Sequence, residues 1–408
     1  MKFKKIGLVG GGIMGAAITQ VVASSGLTVV MYEMNEELVQ KAMKRIRSAF
    51  QREQDKGKIS KEKLHERLAL INGTTSLKEF FDVDLVIEAV PEIMEIKKKV
   101  FTSLEQATSP QTILASNTSS LSISEIASTL KDSQKVIGLH FFNPPQKMKL
   151  VEVIPALQTS TKTIETAVDF VRLVGRESVV VTECAGFLVN RLLVPYFYEA
   201  MYTLLDGSAG IQDIDNAAMQ YGFPMGPFRL CDFIGIDTLV HSGRIMEQYY
   251  GPRMKPPFLM EEMVRAELLG DKSGGGFYKG NQINPDVLLL IENLKTNSKH
   301  TVAFTTERLI YPMINEAVIC LQEKISTPSE IDFAMVSGIG FPKDKGGPLR
   351  YADIIGMDSL TESLDRFAQK ISFRFWPSYL LRKMVAAGFN GIKSKQGFYT
   401  YLNEVNEN

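Results

Sequence analysis

The run KKIGLVGGGIMG, an apolar strand broken by glycines and continued by helix-forming residues, leaves few folds open to this chain. Gly10, Gly12 and Gly15 stand in G-x-G-x-x-G spacing. The first glycine makes a tight turn, the second lets the backbone approach a pyrophosphate, and the third lets helix pack on strand. A helix opening there offers free N–H groups and the positive end of its dipole to phosphates. Through residue 185, KKIGLVG, LTVVMYE, VDLVIEAV, TILASNTS, KVIGLHFF, KLVEVIP and SVVVTE read as strands separated by helical patterns. That alternation predicts a mostly parallel sheet flanked by helices. The charged stretch between Asn35 and Arg67 reads as helices projecting away from the sheet.

The second strand, LTVVMY, ends at Glu33, where a carboxylate can take both ribose hydroxyls of an adenosine. A carboxylate repels a 2′-phosphate, and Met34-Asn35 supplies no arginine. The dinucleotide expected is therefore NAD rather than NADP. Ile13 and Met14, between the second and third glycines, and Ala89 in VDLVIEAV join the candidate cofactor set.

After Gly186 the pattern becomes helical, and it is written twice. Arg191-Leu192, Asp215, Gly222-Phe223-Pro224, Pro227, Asp232, Gly235, Asp237, Lys272-Ser273 and Gly276-Phe277-Tyr278 recur in order. Their counterparts are Arg308-Leu309, Asp332, Gly340-Phe341-Pro342, Pro348, Asp353, Gly356, Asp358, Lys393-Ser394 and Gly397-Phe398-Tyr399. Such a repeat implies two homologous helical units, joined by a linker near residues 281–300. The fold class expected is an α/β Rossmann-like domain (1–185) followed by two homologous all-α domains (186–290 and 300–408).

The 46 basic and 46 acidic residues leave no electrostatic footprint for nucleic acid or an anionic membrane. A phosphate-bearing ligand must be held by local groups. Lys2, Lys4 and Lys5 lead straight into a strand, and no apolar run of about eighteen residues occurs. The expectations are no signal peptide, no membrane span and a cytoplasmic protein. Cys184, Cys231 and Cys320, odd in number and far apart, predict neither a disulfide framework nor a metal site.

His140 ends KVIGLHFF, at the carboxyl end of a strand, where open α/β sheets bind ligands. Asn143-Pro144-Pro145-Gln146 then forces a turn. If the reversal centres on Gln146, Glu152 in the next strand faces His140 as a cross-strand neighbour. Singly, the two read as a satisfied buried histidine and a strand-end charge. As a pair they suit alcohol oxidation: the carboxylate fixes the tautomer and stabilises the imidazolium formed on accepting a proton.

Three segments, ASNTSSLSISEIA (115–127), GLHFFNPPQKMKLVEVI and AGFLVNRLLVPY (185–196), resemble the 3-hydroxyacyl-CoA dehydrogenase family, and the similarity covers essentially the whole chain. The resemblance implies NAD-dependent, reversible oxidation of L-3-hydroxyacyl-CoA to 3-ketoacyl-CoA, in fatty-acid β-oxidation or short-chain acyl-CoA metabolism. It implies His140 as base, Glu152 as its partner, and Ser119 and Asn190 as polar groups on the substrate oxygen, with Ser119 also close to the nicotinamide. Matched cofactor contacts are Glu92, Lys97 and Asn143, besides the glycines and Glu33. Without the family, Glu92 and Lys97 read as surface helix charges. Lys56 matches a basic contact for the coenzyme-A tail, while Ala49 replaces a serine often found seven residues earlier. The duplicated tail resembles the dehydrogenase portion of multifunctional β-oxidation enzymes, here without a hydratase half. Two linked copies imply a monomer by internal pseudo-dimer, or a homodimer through another surface. The rival readings are a Rossmann dehydrogenase of a free hydroxy acid, of the L-gulonate type, and a non-catalytic NAD-binding protein. The β-hydroxyacid dehydrogenases use a lysine base and fit less well.

Overall fold

Strand β1 (Lys5–Val9) has β2 (Thr28–Tyr32) on one side and β4 (Leu85–Glu88) on the other, so the strand order reverses beside it. The computed structural model describes residues 3–294 and 303–401, and the chain divides into two compact units, Met1–Phe187 and Leu188–Asn408. In the first, the sheet runs β3-β2-β1-β4-β5-β6-β7-β8, with β3 (Ile71–Thr74), β5 (Ile113–Ser116), β6 (Val136–Phe141), β7 (Leu150–Pro155) and β8 (Glu177–Val180). Strands β1 to β6 are parallel, β7 runs antiparallel to β6, and β8 is parallel to β7. The inner strands are buried almost end to end, as continuous apolar runs with both faces covered must be.

All seven expected strands are present. The eighth, β3, is the four-residue INGT, whose Asn-Gly pair reads as a turn. Helices α1 (Ile13–Ser24), α2 (Glu36–Asp55), α3 (Lys61–Ala69), α4 (Met94–Ala107), α5 (Ile123–Ala127) and α6 (Thr161–Leu173) cover the sheet. The picture of the charged helices needs correction. Val39, Ala42, Ile46 and Phe50 form a buried stripe along α2, and Ala42, Ile46 and Phe50 join the core with Ile6, Leu8, Ile18 and Met31. That spacing lays α2 along the first layer, with its charges on the solvent side. Asn35 and Ser60 cap α2 and α3 by accepting from Leu38 N–H and Lys63 N–H.

The second unit carries α7 (Val189–Leu205), α8 (Ile211–Tyr221), α9 (Pro227–Ile234), α10 (Ile236–Tyr250), α11 (Phe258–Arg265), α12 (Pro285–Leu294), α13 (Thr306–Gln322), α14 (Pro328–Ile339), α15 (Pro348–Ile355), α16 (Met357–Lys370) and α17 (Tyr379–Ala386). Helices α7 to α11 match α13 to α17 in order. The segment expected as a linker holds Gln282–Ile283, paired with Tyr278–Lys279, and then α12; residues 295–302 lie outside the described residues. The long helices α7 and α13 pack together, each with a proline inside, Pro195 and Pro312.

The repeated aspartates do the same work twice. Asp215 accepts from Phe228 and Arg229 N–H at the start of α9 and from the Tyr278 hydroxyl. Asp332 does so with Leu349, Arg350 and Tyr399. Asp232 and Asp353 take the N–H pairs of Phe277-Tyr278 and Phe398-Tyr399. Each aspartate satisfies donors that a helix start or turn would otherwise bury unpaired.

Candidate active site

The glycine loop follows β1 into α1. Gly10 has φ +95°, and a Cβ on it would lie 2.7 Å from the Ala89 carbonyl oxygen, so only glycine fits where β1 and β4 separate. A Cβ on Gly15 would lie 1.7 Å from the Gly10 carbonyl oxygen, whereas one on Gly12 would meet nothing within 4 Å. Gly12 is the N-cap of α1 and no side chain caps this helix start; Ile13 beside it is exposed. An open glycine, uncapped N–H groups and a dipole end together form a cradle that suits the pyrophosphate of a dinucleotide. Glu33 Oε1 accepts from Gly11 N–H at 2.6 Å, which holds its carboxylate at the end of β2 beside the loop.

Across the strand ends lies a network that sequence reasoning missed. Lys97, which taken without the family reads as a surface charge, is buried. Its Nζ meets Glu88 Oε1 at 2.8 Å and Glu92 Oε2 at 3.2 Å. Glu88, fully buried at the end of β4, also accepts from the Ser116 hydroxyl (2.6 Å) and Val90 N–H (2.7 Å). Glu92 Oε1 in turn accepts from the Thr118 hydroxyl (2.5 Å), Ser119 N–H (2.9 Å) and Ser120 N–H (3.2 Å). Burial works against the Glu92 charge, but the Lys97 ammonium, the Thr118 hydroxyl and the Ser119 N–H together hold its carboxyl below the usual range. Two carboxylates and one ammonium thereby tie the loop after β5, with Ser119 on it, to the loop after β4. The available signal was Glu88 itself, a carboxylate ending an otherwise apolar strand.

His140 and Glu152 face each other across β6 and β7 in the expected register. His140 Nδ1 lies 2.7 Å from Glu152 Oε2, with Glu152 fully buried and His140 6% exposed. With a carboxylate as acceptor, Nδ1 carries the proton and Nε2 is the basic nitrogen. Phe142 and Phe187 rings flank the imidazole at 4.6 and 5.7 Å. Asn117, also missed, accepts from Phe141 N–H at 2.9 Å and pins the end of β6 to the loop carrying Ser119. Asn143 is exposed on the following turn, Lys56 is exposed at the C-cap of α2, and Asn190 lies in the second unit, in the first turn of α7.

Model matches to known families cover nearly the whole chain: residues 5–184 match the NAD-binding domain of 3-hydroxyacyl-CoA dehydrogenase, and 186–280 and 304–401 each match its C-terminal domain. The chain belongs to the 3-hydroxyacyl-CoA dehydrogenase family. Its first unit is that family's NAD-binding domain. A fatty acid oxidation complex subunit alpha from Acinetobacter baumannii is 37% identical over 393 residues, 93% of this chain and 54% of that protein. The chain thus spans about half the length of the curated relatives it matches. A 3-hydroxybutyryl-CoA dehydrogenase from Escherichia coli superposes with a TM-score of 0.86 at 27% identity, covering 95% of this chain and all of the other. An (S)-3-hydroxybutyryl-CoA dehydrogenase from Ralstonia eutropha is 36% identical with a TM-score of 0.66, over 68% of this chain and 99% of that one.

Among the described residues no group of three or more His, Cys, Asp or Glu side chains is arranged to hold a metal ion, and no helix is long and apolar enough to cross a membrane.

Proposed function

We propose that the chain oxidises the 3-hydroxyl of an L-3-hydroxyacyl-CoA to the ketone, reversibly, with His140 as general base. The observation that carries this reading is the buried pair of His140 Nδ1 and Glu152 Oε2 at 2.7 Å. His140 Nε2 takes the hydroxyl proton, and Glu152 stabilises the imidazolium so formed. NAD, when bound, accepts the hydride that leaves C3 as the C–O bond becomes a carbonyl. Ser119, held by Glu92, would hydrogen-bond the substrate oxygen. By the family resemblance Asn190 is a further polar group for it, and Lys56 a contact for the coenzyme-A tail. The glycine loop with Ile13 and Met14, Glu33, Ala89, Glu92, Lys97 and Asn143 make up the proposed cofactor set, Glu92 and Lys97 acting in part by fixing Ser119.

Acetoacetyl-CoA with NADH should turn over, and free acetoacetate should not. A preference for the free acid would favour the hydroxy-acid reading and sink this one. A series from C4 to C16 thioesters, run in both directions, then measures chain-length preference. His140→Ala should lower kcat by about 10²- to 10⁴-fold with little change in NAD affinity, the usual range for a positioned base. Glu152→Gln keeps the shape, removes the stabilising charge and should also be severe.

A further inference from the structure

Gly11 lies outside the G-x-G-x-x-G spacing, yet three elements converge on it. A Cβ there would fall 2.3 Å from the Ala42 Cβ, so α2 presses directly on the glycine loop. Its N–H donates to Glu33 Oε1 at 2.6 Å, and its carbonyl accepts from Arg45 Nη1 at 2.7 Å. A carboxylate and a guanidinium are therefore fixed to the two polar atoms of one residue. An arginine directly after Glu33 is missing from the sequence, but α2 delivers one from farther along: Ala42 and Arg45, three apart, lie on the same helix face. Ala42 brings the helix against the loop, and Arg45 reaches the Gly11 carbonyl.

We propose that Arg45 is a specificity-determining residue of the coenzyme site, poised to pair with a 2′-phosphate that Glu33 alone keeps out. The proposal rests on the reading of Glu33 as the ribose ligand. A 2′-phosphate carries about two negative charges, and beside the Glu33 carboxylate it is repelled. Without that carboxylate the Gly11 N–H loses its acceptor and is left as a donor at the same place. The Arg45 guanidinium, held on the Gly11 carbonyl, has the planar fork that matches phosphate oxygens. On this reading the site discriminates against NADP by one negative charge, and the positive charge NADP needs is already present. In the unaltered protein the same guanidinium keeps the Gly11 carbonyl engaged, so that the N–H stays turned to Glu33.

The test is calorimetric binding of NADH and of NADPH, without substrate, to the intact protein and to Glu33→Ala, Arg45→Ala, Glu33→Ala/Arg45→Ala and Glu33→Ala/Arg45→Lys. Glu33→Ala should bind NADPH more tightly than the unaltered protein by about tenfold, the worth of one charge-assisted hydrogen bond, and NADH more weakly. Adding Arg45→Ala should abolish the NADPH gain, and Arg45→Lys should keep part of it because the charge remains. Arg45→Ala alone should weaken NADH binding, because the Gly11 carbonyl loses the guanidinium that keeps it engaged. If Arg45→Ala does not fold, the lysine variant carries the comparison, since it removes the fork and keeps the charge. An NADPH gain equally large with Arg45 and with alanine in its place would overturn the Arg45 assignment. Unchanged binding of both coenzymes in Glu33→Ala would overturn the Glu33 reading as well.

Discussion

The two copies of the helical domain share their packing residues and differ where chemistry is proposed. Arg191 on α7 donates to Glu316 on α13 at 2.7 Å, and Arg308 on α13 donates to Glu199 on α7 at 2.6 Å. Arg253 also pairs with Glu316, and Arg374 with Glu199; Glu323 and Asp206 complete the two sets. The turns match too: a Cβ on Gly222 would lie 2.9 Å from Pro342, and one on Gly340 2.9 Å from Pro224. Each copy therefore completes the other by the same contacts. Yet Asn190 of the first copy corresponds to Glu307 of the second, an exposed acid where the proposed reaction uses a neutral amide. Duplication has kept what makes the copies pack on each other, and we read the second as a structural partner with no site of its own.

Removing residues 303 onward breaks the comparison most severely. Nearly all of α7 and α13 is buried, including Leu192, Tyr196, Leu309 and Met313. Losing α13 uncovers the α7 face, and a fully exposed side chain of this size forgoes about 1.5–3 kcal/mol. The truncated chain should aggregate, dimerise through the uncovered face or lose activity. Light scattering and turnover check this, and a monomeric, soluble, fully active fragment would overturn the structural role.

Single breaks in the reciprocal ion pairs come next. Glu316→Gln takes from Arg191, fully buried, one of its two acid partners across the repeat, and Glu199→Gln does the same to Arg308. Breaking a buried pair from one side costs about 3–5 kcal/mol. The lower end is expected because Arg191 keeps Glu323 and Arg308 keeps Asp206. The sharper expectation is equality: the two variants should lower the thermal unfolding midpoint by similar amounts. A large loss in one and none in the other would show that the copies do not support each other symmetrically.

What could be read beforehand followed chain distance. The His140–Glu152 register was legible because both residues lie on one hairpin, equidistant from a proline turn. The repeat was legible because its spacing is nearly constant, and Glu199 and Glu316, both 117 residues apart like Arg191 and Arg308, were there to be noticed. The Glu88–Lys97–Glu92 network and the Arg45–Gly11 contact depend on which helix face turns inward, and a lysine or arginine gives no sign of that in isolation. Strand β3 escaped because four residues with an Asn-Gly pair carry no alternation; it is held by pairing to β2.

Exchanging the residues that differ sharpens the comparison with a smaller range of effect. Asn190→Glu, which writes the second copy's residue into the first, should lower kcat by about 10²- to 10³-fold, the usual cost of losing one donor to a developing oxyanion. Glu307→Asn should leave turnover unchanged, because no second cofactor domain accompanies the second copy. Steady-state kinetics on both variants decide it; a rate change from Glu307→Asn would give the second copy a catalytic part.

The smallest effect tests whether the copies also share their electrostatics. Burial pushes the Asp232 carboxyl up to about 6 in the first copy and the Asp332 carboxyl up to about 6 in the second, against the hydrogen bonds each accepts. In an unfolded chain such a carboxyl titrates near the usual value of about 3.9. Between the two values the folded state binds the proton more tightly, so each group's contribution is fully present below about 4 and is lost as pH rises through about 6. Denaturant midpoints between pH 4 and 7 should therefore fall with rising pH by less in Asp332→Asn than in the unaltered protein. Asp232→Asn should reduce the slope similarly, and so should changes at the two counterparts, Asp353→Asn and Asp215→Asn, whose carboxyls burial also pushes up. Taking differences between proteins at each pH removes the carboxyls held low, Glu92 and Asp358, whose dependence runs the other way. A slope unchanged by either substitution would mean that both aspartates titrate alike in the folded and unfolded chain, and one changed at Asp232 but not at Asp353, or at Asp332 but not at Asp215, would mark where the copies have diverged inside their shared framework.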